Sequence, residues 1–514
     1  MSKAWLEKAV FYEIYPQSFY DTNGDGIGDF EGIIQKLDYI KDLGCNALWL
    51  NPCFDSPFKD AGYDVRDYKK VAPRYGTNED LYHLFEAAHK KGIRVLLDLV
   101  AGHTSEEHEW FKMSSLPEEN EYSGRFIWTD NWLCGMPGHP YIGGECGRNG
   151  TYMLNFFKCQ PALNYGWKEP EYSWQMPMDA PDCILTRDAM KDVIRFWLSK
   201  GCDGFRVDMA ASLVKGDDED KSGTCRVWRD IFSDIKKDYP EAAFVAEWGI
   251  PGQSVQSAGF DMDFLLDWQG NGYNSLLRDF IPGGENRSYF SKNSGTSLKA
   301  FMDQWLPAYE AAKGKGHVCL ITGNHDTPRF SYGLDEREMK LACAFIFTMP
   351  GAPYLYYGDE IGMRYNPALP TKEGGYTRTG TRTPMQWSSG KNLGFSDAAP
   401  EELYLPVDGA EDAPTVENQA GRKDSLYNTV KELLKLRQGC DDLDAGAPFE
   451  ALAPVDGRAF AYKRGNLIIV LNPSDEEQTL TVNTDGRELI YSIGSAQGSC
   501  GKTILAPQSF AVFG

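Results

Sequence analysis

Eight short apolar runs, alternating with stretches of helical spacing, fix what this chain can fold into. The runs are Ala9–Pro16, Ala47–Pro52, Arg94–His103, Gly204–Met209, Ala243–Trp248, Met262–Trp268, Val318–Thr322 and Ala352–Tyr357, here strands 1 to 8. Among them lie helical stretches at Phe30–Gly44, Asn78–Gly92, Thr186–Gly201, Thr224–Tyr239, Ser297–Ala312 and Glu336–Met349, and Lys423–Arg437 follows the last run. In the first of these Ile33, Ile34, Leu37, Ile40 and Leu43 share one face, as an amphipathic helix requires. Strand and helix alternating at this spacing predict a parallel sheet. With eight such strands, the expected fold is α/β, closed into a (β/α)8 barrel.

The rhythm breaks once. Residues 104–178 are rich in Trp, Tyr, Gly, Pro and Asn, and a structureless loop of that length inside a compact domain is improbable. We read it as a small inserted domain after strand 3. The barrel then comprises residues 1–103 and 179–438. The remainder, 439–514, reads as short strands and turns, a C-terminal antiparallel β-sandwich. Asp359–Arg422 is a long polar, Gly/Pro-rich stretch and is expected to be a functional loop.

The strand ends carry the chemistry. Gly204-Phe205-Arg206-Val207-Asp208 puts Arg206 and Asp208 on the same face, because strand side chains alternate. The guanidinium can then keep the carboxylate ionised, as a nucleophile needs, or simply make a structural ion pair. Three other strand ends favour function: Glu247, the Asn324-His325-Asp326 triplet, and Asp98 with His103. In a barrel of this kind such tips converge at one face.

These residues resemble the α-amylase superfamily, glycoside hydrolase family 13. Asp98…His103, Gly204–Asp208, Glu247 and Asn324-His325-Asp326 match its four best-known regions, and Gln160-Pro161-Ala162-Leu163-Asn164 resembles a fifth. The likeness covers nearly the whole chain and points to the oligosaccharide α-glucosidases, oligo-1,6-glucosidase among them, and to trehalose synthase. It implies a retaining double displacement by two carboxyl groups about 5–5.5 Å apart. Asp208 would be the nucleophile. Glu247 would be the acid/base, its pKa raised by a less polar setting and by nearby negative charge. Asp326, His103 and His325 would grip sugar hydroxyls, and Asp98 would support Arg206. Tyr63 of Gly62-Tyr63-Asp64 would stack on the sugar. Asp64 would pair with Arg382 of Arg382-Thr383-Pro384-Met385-Gln386-Trp387 and close the pocket beyond one glucose; an ordinary surface ion pair is the alternative.

The chain departs from the family pattern at four places. Gly102 stands where an Asn is usual, which puts a calcium between barrel and insert in doubt. Ala162 replaces the Asp of the oligo-1,6-glucosidase fifth region. Ala211 and Ser212 replace a Lys-His pair common in polymer-acting amylases. Met209 matches the usual neighbour of the nucleophile in neither α-1,4 nor α-1,6 enzymes, so linkage preference stays open.

The first strand–helix loop carries a separate signal. Asp21, Asn23, Asp25 and Asp29 place oxygen side chains at alternate positions, with Gly26 at the sharp turn. That is the first part of a calcium loop, but Gly32 stands where an EF-hand has its Glu. The expected structural Ca2+ ligands are Asp21, Asn23, Asp25 and Asp29 by side chain and Ile27 by its carbonyl; a metal-free turn is the other reading.

A formal net charge of −22 argues against nucleic acid and anionic membrane as partners. No apolar stretch is long enough to span a membrane, and Met1–Lys8 carries no apolar leader. The twelve Cys are scattered without a Cys-x-x-Cys pair, so free thiols in a reducing cytoplasm are expected; a Cys134–Cys146 disulfide is the alternative. The competing functions are an exo-acting α-glucosidase on short malto- or isomalto-oligosaccharides, a trehalose synthase or other transglycosylase, an endo-acting α-amylase, and a catalytically inert barrel. The oligomeric state is not legible.

Overall fold

The computed structural model describes residues 3–136, 138–280 and 285–514. Eight parallel strands form one sheet: strand 1 Phe11–Ile14, strand 2 Ala47–Leu50, strand 3 Arg94–Val100, strand 4 Gly204–Asp208, strand 5 Ala243–Ala246, strand 6 Met262–Phe264, strand 7 His317–Cys319 and strand 8 Tyr354–Tyr356. Their order is 7-6-5-4-3-2-1-8. A parallel bridge from Ile321 to Tyr354 brings the sheet's two edges together. The expected barrel is therefore present, nearly closed, with strands shorter than the apolar runs. The residues beyond each strand turn over the barrel mouth, and these are the ones that carry chemistry. Strand 6 stops at Phe264, so Leu266, Asp267 and Trp268 lie in the loop after it.

Local chemistry sets the element ends. Asp29 caps the first helix by accepting from Gly32 N at 2.7 Å, and Gly44 ends it at φ 107°, a left-handed conformation that suits glycine. Thr77 and Asp80 cap the second helix reciprocally. The third begins at Pro181, earlier than the apolar spacing suggests, because proline needs no amide partner at a first turn. Gly204 opens strand 4 where a Cβ would come within 1.8 Å of Ala243 O. Between strands 5 and 6 there is only a short helical segment, Pro251–Ala258, where the alternation would call for a full helix.

Residues 104–178 contain a short helix, Glu109–Ser114, and an antiparallel pair, Tyr141–Gly143 with Thr151–Met153. Phe111, Phe126, Trp128 and Tyr152 pack as its aromatic centre. At the other end, five antiparallel strands from Phe449 to Phe513 pack with a three-stranded sheet over Val470, Val482, Leu505 and Ala511. All twelve cysteines are free, Cys134 and Cys146 included. Met1 and Ser2 lie outside the described residues, and Ala4–Lys8 forms a short helical turn. Among the described residues no helix is long and apolar enough to cross a membrane.

Candidate active site

The strand tips surround a cavity of about 360 Å³ lined by Asp208, Glu247, Asp326, Tyr63, His103, Asp60 and Arg378 among others. At its floor lies Arg206, its side chain 2% exposed. Strand alternation brings Arg206 and Asp208 to the same face, and neighbouring strands supply the rest. Nη1 meets Asp98 Oδ1 at 2.8 Å and Asp208 Oδ1 at 2.9 Å, while Nη2 meets Glu247 Oε1 at 2.9 Å. The expected Arg206–Asp208 pair is thus one arm of a four-group cluster. The two carboxyl groups proposed to do chemistry sit side by side on neighbouring nitrogens of a single guanidinium.

The expected Arg206–Asp208 contact is present, but Arg206 does not serve Asp208 alone. One positive charge serves three carboxyl groups in a buried site. Burial pushes Asp208 well above the usual carboxylate range, against the pull of Arg206 and reinforced by Glu247 and Asp98. Burial likewise pushes Asp98 up to about 6. Asp98 and Asp208 both keep a proton more readily than isolated carboxylates would, and they share one guanidinium, so their titrations are linked.

Met209 follows Asp208 in the left-handed region, φ 42° and ψ 43°, uncommon for a side chain of this size. That turn aims its amide at Glu247 Oε2, 2.8 Å away. Glu247 is held by Arg206 on one oxygen and by Met209 N on the other. Below it, Asp263 on strand 6 accepts from Trp248 N, Gly249 N and Ser254 Oγ and so fixes the turn after strand 5.

Asp326 is turned toward the cavity by Asn324, whose Oδ1 accepts from Asp326 N at 2.9 Å. Against its burial, His325, Arg382 and Arg378 hold its carboxyl well below the ordinary range. Burial pushes His325 itself down to about 3. Its imidazole is therefore neutral at neutral pH, and the two guanidiniums are the charges that act there. Nε2 of His325 is 2.7 Å from the Tyr63 hydroxyl, and Nδ1 is 2.9 Å from buried Glu13 on strand 1. His103, also neutral because burial pushes it down to about 3, is held by Asn155 and by Tyr63 O.

The predicted Asp64–Arg382 pair does not form. Asp64 is fully buried and accepts from Ser56 Oγ, Lys59 N and Asp60 N at 2.9–3.0 Å. The turn wraps around its carboxylate, with Gly62 at φ 101°, and points it away from the cavity. Arg382, also buried, donates to Asp326 Oδ1 and His325 O. The groups at the far wall are instead Asp60, four residues earlier than Asp64, and Arg378, four residues earlier than Arg382. Asp60 Oδ1 and Arg378 Nη2 are 3.7 Å apart. Asp60 Oδ2 accepts from Gln160 Nε2 at 2.7 Å, while its Oδ1 is buried without a hydrogen-bond partner. Sequence reasoning found both motifs and chose the wrong member of each; it also passed over Glu13 and Asp263.

Lys215 stands at the seam between barrel and insert, donating to Asn155 Oδ1 and Ser212 O, and burial pushes it down to about 8. Gly102 leaves room there for Asn155, whose Nδ2 would lie 2.8 Å from a Cβ at position 102.

The first loop is far from these groups in role. Asp21, Asn23 and Asp25 each accept the amide two residues on, and Asp29 accepts from Thr22 and Gly32. This chain of turns orders the five expected donors, all of them hard oxygens of the kind calcium prefers. Among the described residues, no three Asp, Glu, His or Cys side chains converge into one metal-holding group.

Comparison with known proteins gives the family. Residues 13–446 match the α-amylase catalytic domain, and the chain belongs to that family of glycosidases. It is 30% identical to the probable oligo-1,6-glucosidase 2 of Bacillus subtilis, over 98% of this chain and 94% of that one. It is 32% identical to the trehalose synthase/amylase TreS of Mycolicibacterium smegmatis, over 90% and 80% of the two chains. Among solved structures, trehalulose synthase MutB from Pseudomonas mesoacidophila MX-45 superposes with a TM-score of 0.82 at 25% identity, each chain covered in full.

Proposed function

We propose that the protein is a retaining, exo-acting α-glucosidase that releases glucose from short malto- or isomalto-oligosaccharides. The observation that carries this reading is the pairing of two carboxyl groups on Arg206 at the floor of a pocket whose far wall is Asp60, Arg378 and Asp326. Asp208 attacks the anomeric carbon and forms a glycosyl ester while Glu247 gives its proton to the leaving oxygen. Water then attacks the ester, Glu247 takes its proton, and Asp208 leaves as the carboxylate. Asp326, kept ionised by two arginines, accepts hydrogen bonds from ring hydroxyls, and His103 and Tyr63 border the same sugar. In this reading Asp60 and the nearby Arg378 meet the hydroxyls of the terminal glucose and end the pocket beyond it, which is the basis for exo action. The relatives named oligo-1,6-glucosidase support this choice of substrate class.

Calcium in the first loop is part of the proposal. Asp21, Asn23, Asp25, Asp29 and the Ile27 carbonyl would hold it; its contribution would be to brace the loop, and no catalytic step passes through it. A reducing compartment such as the cytoplasm agrees with the twelve free thiols.

A second reading, transfer or isomerisation, is favoured by the likeness to TreS and MutB. It differs only in whether a sugar hydroxyl replaces water in the second half. The deciding experiment is incubation with maltose, isomaltose and maltohexaose, with products resolved by chromatography over time. Glucose from the first turnover supports the glucosidase; an isomeric disaccharide as main product selects the isomerase; early maltotriose and other internal fragments from maltohexaose with no glucose select an endo-amylase.

A further inference from the structure

The pocket has two unlike walls. After strands 7, 8 and 2 it presents charge: Asp326, Arg378 and Asp60 beside Tyr63. On the opposite arc of the barrel, after strands 4, 5 and 6, it presents Met209, Ala211, Trp248, Leu266 and Trp268, with Phe156 reaching in from the inserted segment. Glu247 belongs to this second arc. Since Glu247 protonates the leaving oxygen in the reading above, on which this inference rests, the leaving group faces the apolar wall.

Two of the polar groups of that wall are already engaged. Ser212 supplies the hydroxyl among its described lining residues, and its Oγ donates to Met209 O at 2.8 Å. The Trp248 indole donates to Gln253 Oε1 at 2.9 Å. Meanwhile Trp268 and Phe156 are 64% and 51% exposed and offer open aromatic surface at the mouth. A sugar bound here gives up water at its hydroxyls and finds few replacements. A hydrocarbon loses nothing and gains burial.

We infer that the acceptor half of the pocket takes an apolar group: an alkyl or aryl aglycone in the donor, and an alcohol of the same kind as competitor to water. In the forward half, the bond from the anomeric carbon to the alcohol oxygen breaks as the Asp208 ester forms, and Glu247's proton goes to that oxygen. In the transfer half, an incoming alcohol attacks the same carbon. Its proton passes to Glu247, and Asp208 departs as the carboxylate.

The test is kcat/KM across unbranched alkyl α-D-glucosides from methyl to octyl, beside maltose and isomaltose. From propyl upward the leaving alcohols are alike in acidity, so a trend reports on binding. The expected result is a rise of about two- to fourfold per methylene over the first carbons that meet the wall, the upper figure being that of a fully buried methylene. Trp268→Ala should flatten this slope. A flat or falling series, with glucose still released from maltose or isomaltose, overturns this inference and leaves the glucosidase reading standing. An unchanged slope in Trp268→Ala also overturns it. Release of glucose from none of these glucosides overturns the glucosidase reading, and this inference with it.

Discussion

Asp60 and Arg378 face each other across the end of the pocket, with 3.7 Å between Oδ1 and Nη2. That distance is too long for a hydrogen bond and right for a hydroxyl to be shared between them. Asp60→Ala should therefore lower kcat/KM on short substrates by roughly 2–4 kcal/mol, the usual cost of removing one partner of a buried charged contact. Asp64→Ala should act differently. Its carboxylate braces a turn, and three donors would be left unsatisfied, so the loss should appear in thermal stability by about 1–3 kcal/mol. Steady-state kinetics and melting curves on both variants check this; a kinetic defect larger in Asp64→Ala than in Asp60→Ala would restore the original assignment.

The same pair shows how far sequence reasoning reached. Strand order, the insert and the convergence of Asp208, Glu247 and Asp326 follow from periodicity and motif, because a parallel barrel brings all strand ends to one face. Which carboxylate of Asp60-Ala61-Gly62-Tyr63-Asp64 points inward does not follow. That depends on positive φ at Ala61 and Gly62 and on three backbone and hydroxyl donors gathered by Asp64. Likewise, Arg206-x-Asp208 predicts a pair, yet the sharing of one guanidinium with Asp98 and Glu247 depends on parallel register. Asp98 lies opposite Arg206, and Val245, two residues before Glu247, lies opposite it from the other side.

The nucleophile assignment has a direct chemical test. Asp208→Ala should lower kcat by several orders of magnitude while the protein still melts cooperatively, since Arg206 keeps Asp98 and Glu247 as partners. A fluorinated glycosyl donor that traps the ester should label Asp208, read by peptide mass spectrometry. Label on any other carboxylate would sink the assignment.

Calcium should raise the melting temperature by binding the folded loop and not the unfolded chain. The catalytic rate should change little, because Asp21, Asn23, Asp25 and Asp29 cap their own turns and none lines the cavity. Melting curves with excess calcium and after thorough chelation check this, and coincident curves would remove the metal from the proposal.

The shared guanidinium also links catalysis, pH and stability. Asp98 is raised to about 6 and Asp208 is raised as well, burial being the first cause in both. A carboxyl whose pKa is higher in the folded state than in the unfolded chain favours folding while protonated. That contribution is fully present below the ordinary carboxylate pKa and is lost as pH rises through the folded value, here from about 4 to about 6 for Asp98. Ionising Asp98 and Asp208 beside the one guanidinium therefore works against folding as pH rises. Activity should run the other way. The ester can form only once Asp208 is ionised, so kcat/KM should climb with pH along an acid limb displaced above the ordinary carboxylate range. Asp208→Asn should abolish turnover yet raise the melting temperature by about 1–3 °C at pH 8, with a smaller gain at pH 5, where the native cluster already holds its proton. A melting temperature that falls in Asp208→Asn equally at both pH values would mean that the Arg206–Asp208 contact stabilises the protein, and that the site is not under charge strain.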